Sequence, residues 1–356
     1  MALRKLTTLL AVGVLALGAA ACGGDDDNGS ASTADGGAST SADSGAKVRK
    51  IAFASPEKGN DYGWNQQGVL AARRVAEEFG VEVEIADGSG YDNVDPILSQ
   101  LANAGADLVI AHASGYNASA PDVAARTQTP VISWDNPEGL QPGLVGDAET
   151  NSQEGAYLAG VLAAKVTRRG TVGIVTSADD TNWNKMSGGF IAGARATDPR
   201  IKILTAQIGQ AGYADTAGGR RVTDTVIAGG ADVIFGMGDG SSFGMLQAVE
   251  QARNVWFIDV IGDKTPIDRK GVLLSSVLWD FTPAFRAAIE AVNDGTFGEE
   301  VFTLNLANEG ISLLKTDKIP EDAWRAVEEA RAGILDGSIE VPLTARKGEV
   351  EALLDS

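Results

Sequence analysis

The chain is poor in the residues that most metal and nucleophilic chemistry draws on. Its 356 residues include one cysteine and one histidine. A single cysteine excludes an internal disulfide and any Cys-rich zinc or iron–sulfur site, and a single histidine excludes every two-His metal motif. Neither a metal nor a cofactor is expected. Basic side chains are also scarce: 29 Lys+Arg stand against 48 Asp+Glu, a net charge of -19. That balance suits neither a nucleic-acid backbone nor an anionic membrane surface, whose binding relies on Lys and Arg. What the chain has in quantity is 44% apolar residues and 44 glycines, on a length sufficient for two domains of roughly 150 residues.

Arg4 and Lys5 precede the apolar run Leu9 to Leu17, and Gly18, Ala19, Ala20 and Ala21 follow before Cys22. This is the layout of a secretory signal peptide over residues 1–21. The run falls short of the ~20 residues needed to span hydrocarbon, and nothing later in the chain is long and apolar enough. The position of Cys22 resembles the lipobox of bacterial lipoproteins, which implies cleavage before it and lipid on its sulfur; Ala19 stands where Leu is more usual. Residues 23–46 read GGDDDNGSASTADGGASTSADSGA, too little apolar surface to repay ordering. Residues 22–46 are therefore expected to be an acidic tether. Residues 47–356 carry 27 basic and 43 acidic side chains, which suits a soluble body held at the membrane. The expected location is the cell envelope, at the outer face of the cytoplasmic membrane or in the periplasm.

Beyond the tether, short apolar or β-branched runs at 50–54, 81–85, 108–111, 131–134, 171–176, 201–206, 233–236 and 255–258 alternate with stretches of helical periodicity such as 66–79, 94–104, 154–164, 190–197, 222–228 and 243–252. Such alternation predicts parallel sheets covered by helices on both faces. The phrases Asn103-Ala-Gly-Ala-Asp-Leu-Val-Ile110 and Ala228-Gly-Gly-Ala-Asp-Val-Ile-Phe235 repeat one helix end, glycine turn and buried strand in each half, as two similar α/β lobes require. We assign 47–148 plus 280–310 to the N-terminal lobe and 149–279 to the C-terminal lobe. A tail over 311–356 packs on the lobes, with a helix at 321–335 and a strand-like segment at 339–343.

Ligands of open α/β sheets sit beyond the carboxyl ends of the strands, so the residues after each strand are the site candidates. The first loop offers Asp61, Trp64 and Asn65: a carboxylate, a flat ring and an amide at a helix start. As a core tryptophan and a helix cap, Trp64 and Asn65 would need no ligand. The third strand is followed by His112, Ser114 and Tyr116, and the fourth by Trp134 and Asp135; His112 reads equally as a satisfied structural residue. In the second half, Ser177 to Asn184 contains Trp183, and Gly236-Met-Gly-Asp-Gly-Ser-Ser242 supplies Gly238 and Asp239. That turn lacks a P-loop lysine and is not GxGxxG. Asp263 and Lys264 follow the strand near 258, and Trp279 and Asp280 the strand at 273. A cleft lined by aromatics and acids suits a neutral or cationic ring-bearing solute rather than a phosphate. Ser-His-Asp hydrolysis would need His112 and has no GxSxG elbow. The carboxylates could serve acid–base chemistry, yet they also bind hydroxyls and amines, and a tethered two-lobed receptor fits the whole chain better than an enzyme.

Three segments carry a family resemblance over residues 50–343. Asp61-Tyr-Gly-Trp-Asn65 resembles the Asp-Lys-Ser-Phe-Asn of the basic membrane protein family, the substrate-binding lipoproteins of ABC importers that include purine nucleoside receptors. Glu154-Gly-Ala-Tyr-Leu-Ala-Gly resembles the family's Glu-Gly-Ser-Phe-Leu-Ala-Gly helix, and Gly189-Phe-Ile-Ala-Gly193 its Gly-Phe-x-Ala-Gly. The resemblance implies a type I periplasmic-binding-protein fold: two Rossmann-like lobes with parallel sheets and a ligand cleft between them. It also implies that Trp64 holds the base-stacking position, that Asp61 and Asn65 reach polar ligand atoms, and that Tyr116 borders the cleft. Asp239 is inserted into the family's Gly-Gly-Thr-Gly loop. Asp263 only approximates the ribose-binding aspartate, and Trp279 replaces a nucleoside-binding lysine, which tilts the expected ligand from a nucleoside toward a free purine base or another small cyclic solute.

The expected function is capture of a purine base or nucleoside by a monomeric lipoprotein that delivers it to ABC permease subunits. A sugar receptor of the same fold and a tethered sensor without transport are the alternatives.

Overall fold

The structure, a computed structural model, describes residues 48–210 and 212–356. The expected signal peptide, the lipidation site Cys22 and the tether lie outside the described residues. Chain order in the first half is β1 (Lys50–Ser55), α1 (Trp64–Phe79), β2 (Glu82–Asp87), α2 (Asp95–Asn103), β3 (Leu108–Ala111), α3 (Ala120–Thr127), β4 (Val131–Trp134) and β5 (Val145–Thr150). The second half runs α4 (Ser152–Val166), β6 (Thr171–Thr176), α5 (Thr181–Thr197), β7 (Lys202–Gln207), α6 (Thr216–Ala228), β8 (Val233–Met237), α7 (Ser242–Gln251), β9 (Trp256–Ile261) and β10 (Leu273–Trp279). The remainder is α8 (Thr282–Asp294), β11 (Val301–Leu304), β12 (Ile311–Leu313), α9 (Glu321–Leu335) and α10 (Lys347–Asp355).

These strands form two six-stranded sheets, ordered β11-β5-β4-β3-β1-β2 and β12-β10-β9-β8-β6-β7. Every pairing is parallel except β10 with β12. Together with helices on the sheet faces, this is the two-lobed type I periplasmic-binding-protein architecture. Central strands such as β3 (LVIA), β4 (VISW) and β8 (VIFGM) are buried along their length, the unbroken apolar reading that a sheet covered on both faces produces. The two repeated phrases occupy matching places. One ends α2 and enters β3 beside β1, and the other ends α6 and enters β8 beside β6. Gly105 and Gly230 take φ of +86° and +107° in these turns, which only glycine adopts at little cost.

The strand order reverses at β1/β3 in one sheet and at β6/β8 in the other, and the chain crosses between sheets after β5, β10 and β11. Both switch points therefore open on one interlobe space, where ligands of such sheets bind.

The segments 154–160 and 189–193 that carry the family resemblance form the α4–α5 contact. A Cβ on Gly189 would lie 2.2 Å from the carbonyl oxygen of Gln153, and one on Gly193 would lie 2.1 Å from that of Tyr157. Those glycines allow two helix backbones to touch. Two local expectations need correction. Helix α5 starts at Thr181 rather than near Phe190, because the Asp180 carboxylate accepts the N–H of Asn182 at 2.8 Å and that of Trp183 at 3.3 Å and so caps it early. Residues 339–343 form no strand: no sheet edge pairs with them, and they lead instead to Thr344, whose hydroxyl donates to the Asn184 carbonyl at 2.7 Å.

Candidate functional site

A cleft of about 110 Å³, partly open to solvent, lies between the carboxyl ends of the two sheets. The first lobe lines it with Pro56, Trp64 and Asn65 after β1, Tyr91 after β2, and Ala113, Ser114 and Gly115 after β3. The second lobe adds Asp180, Asn182 and Trp183 after β6, Tyr213 after β7, Asp239 after β8, and Trp279 at the end of β10.

Trp64 is fixed from behind. Its ring stacks on His112 at 4.4 Å and 20°, and Trp134, Trp279 and Phe281 meet it edge-on at 5.0, 6.0 and 5.0 Å. The indole N–H donates to the His112 carbonyl at 3.0 Å, and His112 Nε2 lies 3.1 Å from the Trp64 carbonyl. Only a protonated Nε2 can donate there. Burial drives His112 down to about 3, a shift that the Trp64 carbonyl only partly offsets, so His112 is a neutral support beneath the ring and not a cleft group. Trp183 approaches Trp279 at 6.4 Å and donates its indole N–H to Ser177 Oγ at 3.0 Å. The indole N–H of Trp279 is buried without a partner among the described residues.

The structure brings six of the sequence candidates to the cleft: Trp64, Asn65, Ser114, Trp183, Asp239 and Trp279. The others have different work. The Asp61 carboxylate is buried and accepts the N–H groups of Gly63, Asn65 and Gln66 as well as Asn65 Nδ2. It closes the first turn of α1. Asn65 is also spent, since its Oδ1 accepts the Glu57 N–H at 3.1 Å. Tyr116 is buried in the first lobe with its hydroxyl on the Gly90 carbonyl at 2.6 Å; on that side Tyr91 reaches the cleft instead. Asp135 lies behind the lining, hydrogen-bonded to the Ser114 hydroxyl and, at 3.2 Å, to Asn182 Nδ2, and so links the lobes. Gly238 is buried in the turn before Asp239. Asp263 is exposed and accepts the Thr265 N–H at 2.7 Å, so its loop turns it away from the cleft. Lys264 is buried against Asp259 at 2.6 Å.

Tyr91, Asp180, Asn182 and Tyr213 were not singled out from the sequence. Reading the loops after the edge strands β2 and β7 as closely as the central ones would have found both tyrosines, and the capping position of Asp180 beside Trp183 was the available signal for the other pair.

Three desolvated carboxyls dominate the electrostatics, Asp147 buried and Asp135 and Asp239 half-buried. Desolvation, reinforced by the Asp61 charge, pushes Asp239 up to about 8. Desolvation also pushes Asp147 up to about 7 and Asp135 up to about 6. A carboxyl whose pKa is raised on folding holds a proton that the unfolded chain has released, so stability falls as pH rises through the folded-state value. His112 acts oppositely, but only between about 3 and 6.5. The ligand-free protein is therefore expected to lose on the order of 1–2 kcal/mol between pH 6.5 and pH 8. Thermal melts across that window check this; a midpoint that stays level or climbs with pH contradicts it.

A protein-family model described as "ABC transporter substrate-binding protein PnrA-like" matches residues 48–344. The ABC transporter nucleoside-binding protein BmpA of Lactococcus lactis subsp. cremoris is 28% identical over 215 residues, which cover 56% of this chain and 60% of that protein. The match thus spans about three fifths of that relative's length. A purine-binding protein of Brucella abortus is 22% identical over 299 residues, 82% of each chain. Among solved structures, a solute-binding protein of an ABC transporter system from Conexibacter woesei superposes with a TM-score of 0.70 at 24% identity, covering 83% of this chain and 99% of its own. That likeness speaks to the fold.

Proposed function

The chain belongs to the family of PnrA-like ABC transporter substrate-binding proteins, and from that premise we propose that it captures a purine base, or a nucleoside through its base, in the interlobe cleft. The observation that carries this reading is the convergence of Trp64, Trp183 and Trp279 from both lobes on one space with Asp239 among them. Flat rings supply stacking surface and the carboxyl a polar handle for a ring edge. The names of two relatives, one nucleoside-binding and one purine-binding, point the same way. The placement of Asp263 on the surface supports no ribose contact, and Trp279 offers a ring face where the resemblance would put a lysine, so the base carries the recognition.

Capture needs no covalent step. The solute stacks in the cleft, the lobes close over it, and the closed shape is the one that membrane subunits of the importer accept. On this reading the protein is exported, anchored through lipid on Cys22, and works as a monomer beside its permease.

Mass spectrometry of small molecules released on denaturing the purified protein, followed by calorimetric titration of purine bases, nucleosides, pentoses and hexoses, tests the proposal. Micromolar or tighter binding of a base or nucleoside is expected. Binding of sugars alone overturns the purine reading and leaves a sugar receptor of the same fold.

A further inference from the structure

The cleft is charged on one side only. Its described lining residues include Asp180 and Asp239 but no Lys, Arg or His. Asp180 is spent: Oδ1 caps α5, and Oδ2 accepts the Tyr213 hydroxyl at 2.9 Å. Asp239 is not. Its Oδ1 accepts the Trp64 N–H of the opposite lobe at 3.3 Å, while Oδ2 has no hydrogen-bond partner among the described residues. No cation within salt-bridge distance balances it there. Its backbone φ is +48°, a left-handed conformation costly for most side chains and one that tends to persist where function holds it. The rise of its pKa through desolvation agrees with a carboxyl lacking a counter-charge.

We propose that Asp239 makes the cleft selective for amino-substituted heteroaromatic rings, reading the exocyclic amino N–H with Oδ2 and disfavouring rings that lack that amino group or carry an oxo group in its place. This rests on the purine reading above and narrows it. A donor on the ligand gives Oδ2 the partner it lacks, and a hydrogen bond to a carboxylate is about twice as strong as a neutral one. Desolvation lifts the ligand-free carboxyl to about 8, so the reading form dominates above that value: there an oxo group meets only lone pairs, while an amino donor keeps its charge-assisted bond. Because Oδ1 is held by Trp64, the reading oxygen is positioned only when the lobes are together, so selection acts in the closed form.

The test is calorimetric titration at pH 8.5, where a carboxyl raised to about 8 is mostly ionised, of adenine, unsubstituted purine, hypoxanthine and ribose into the wild type and Asp239→Asn. Asparagine tolerates the left-handed backbone and keeps an oxygen for the Trp64 N–H, so the variant is expected to fold. Adenine should bind at least tenfold more tightly than purine or hypoxanthine in the wild type, and the Asn variant should shrink that gap to under threefold. Equal affinities for the three rings, or a gap that survives in Asp239→Asn, overturns the selectivity while the purine reading stands. Binding of ribose with no ring bound overturns both.

Discussion

Trp64→Ala is expected to weaken the ring-bearing solute that saturates the wild type by at least thirty-fold, a loss of about 2 kcal/mol or more, the size of an interface hot spot. The ring is half-buried, with one face on His112 and its edges held by Trp134, Trp279 and Phe281. It is therefore preorganised, and a ligand stacking there spends little on ordering it. Removing it also uncovers His112, whose neutrality depends on burial. Hydration of the imidazole should raise its pKa from about 3 back toward the ordinary histidine range, which NMR titration of the chain's single histidine reads directly. Trp64→Phe keeps a ring over His112 but loses the indole donor to the His112 carbonyl, and should fall between wild type and alanine in affinity. An unchanged dissociation constant in Trp64→Ala, with His112 titrating near the usual range, would show that the ring was displaced without consequence and remove Trp64 from the site.

The contrast between Trp64 and its neighbours shows what the sequence makes legible. Parallel strands buried on both faces leave apolar runs that periodicity reads directly, and glycine turns such as Gly105 and Gly230 mark where the two lobes repeat. The rule that ligands sit beyond strand ends points to the loops that line the cleft. It does not say which side chain of a loop turns inward, because that depends on hydrogen bonds that form only in the folded turn. Asp61 lies three residues from Trp64, yet the N–H groups of α1 claim its carboxylate. Tyr116 falls on the core side of the turn after β3, and Asp263 on the solvent side of the turn after β9. The glycine-rich segments of α4 and α5, which carry much of the family resemblance, serve helix packing, and none of their residues lines the cleft. Residues 339–343 have strand-like chemistry without a strand partner, a tertiary fact that no local pattern encodes.

The loop after β9 places Lys264 in the interior and not in the cleft lining. Its side chain is 1% exposed and its Nζ lies 2.6 Å from Asp259 Oδ2, and it donates to the Tyr62 carbonyl at 3.0 Å across the lobe boundary. Asp259 in turn accepts the Ser242 hydroxyl at 2.9 Å. Burial pushes the Asp259 carboxyl up, and Lys264 is the chief influence opposing this. Lys264→Met, close in volume but uncharged, leaves a fully buried carboxylate without its counter-ion, a change that costs about 3–5 kcal/mol. The expected outcome is a urea midpoint lower by about 1 M. Replacing both partners, in Lys264→Met with Asp259→Leu, removes the uncompensated charge, and most of the midpoint should return. The Tyr62 carbonyl still loses its donor in the double variant, so the lobes should part more readily and the solute dissociate faster than from the wild type, even with stability recovered. A midpoint unmoved in Lys264→Met would mean that Asp259 is neutral in the folded protein. Recovery of stability together with a wild-type dissociation rate would confine the pair to the second lobe and deny it any part in holding the cleft closed.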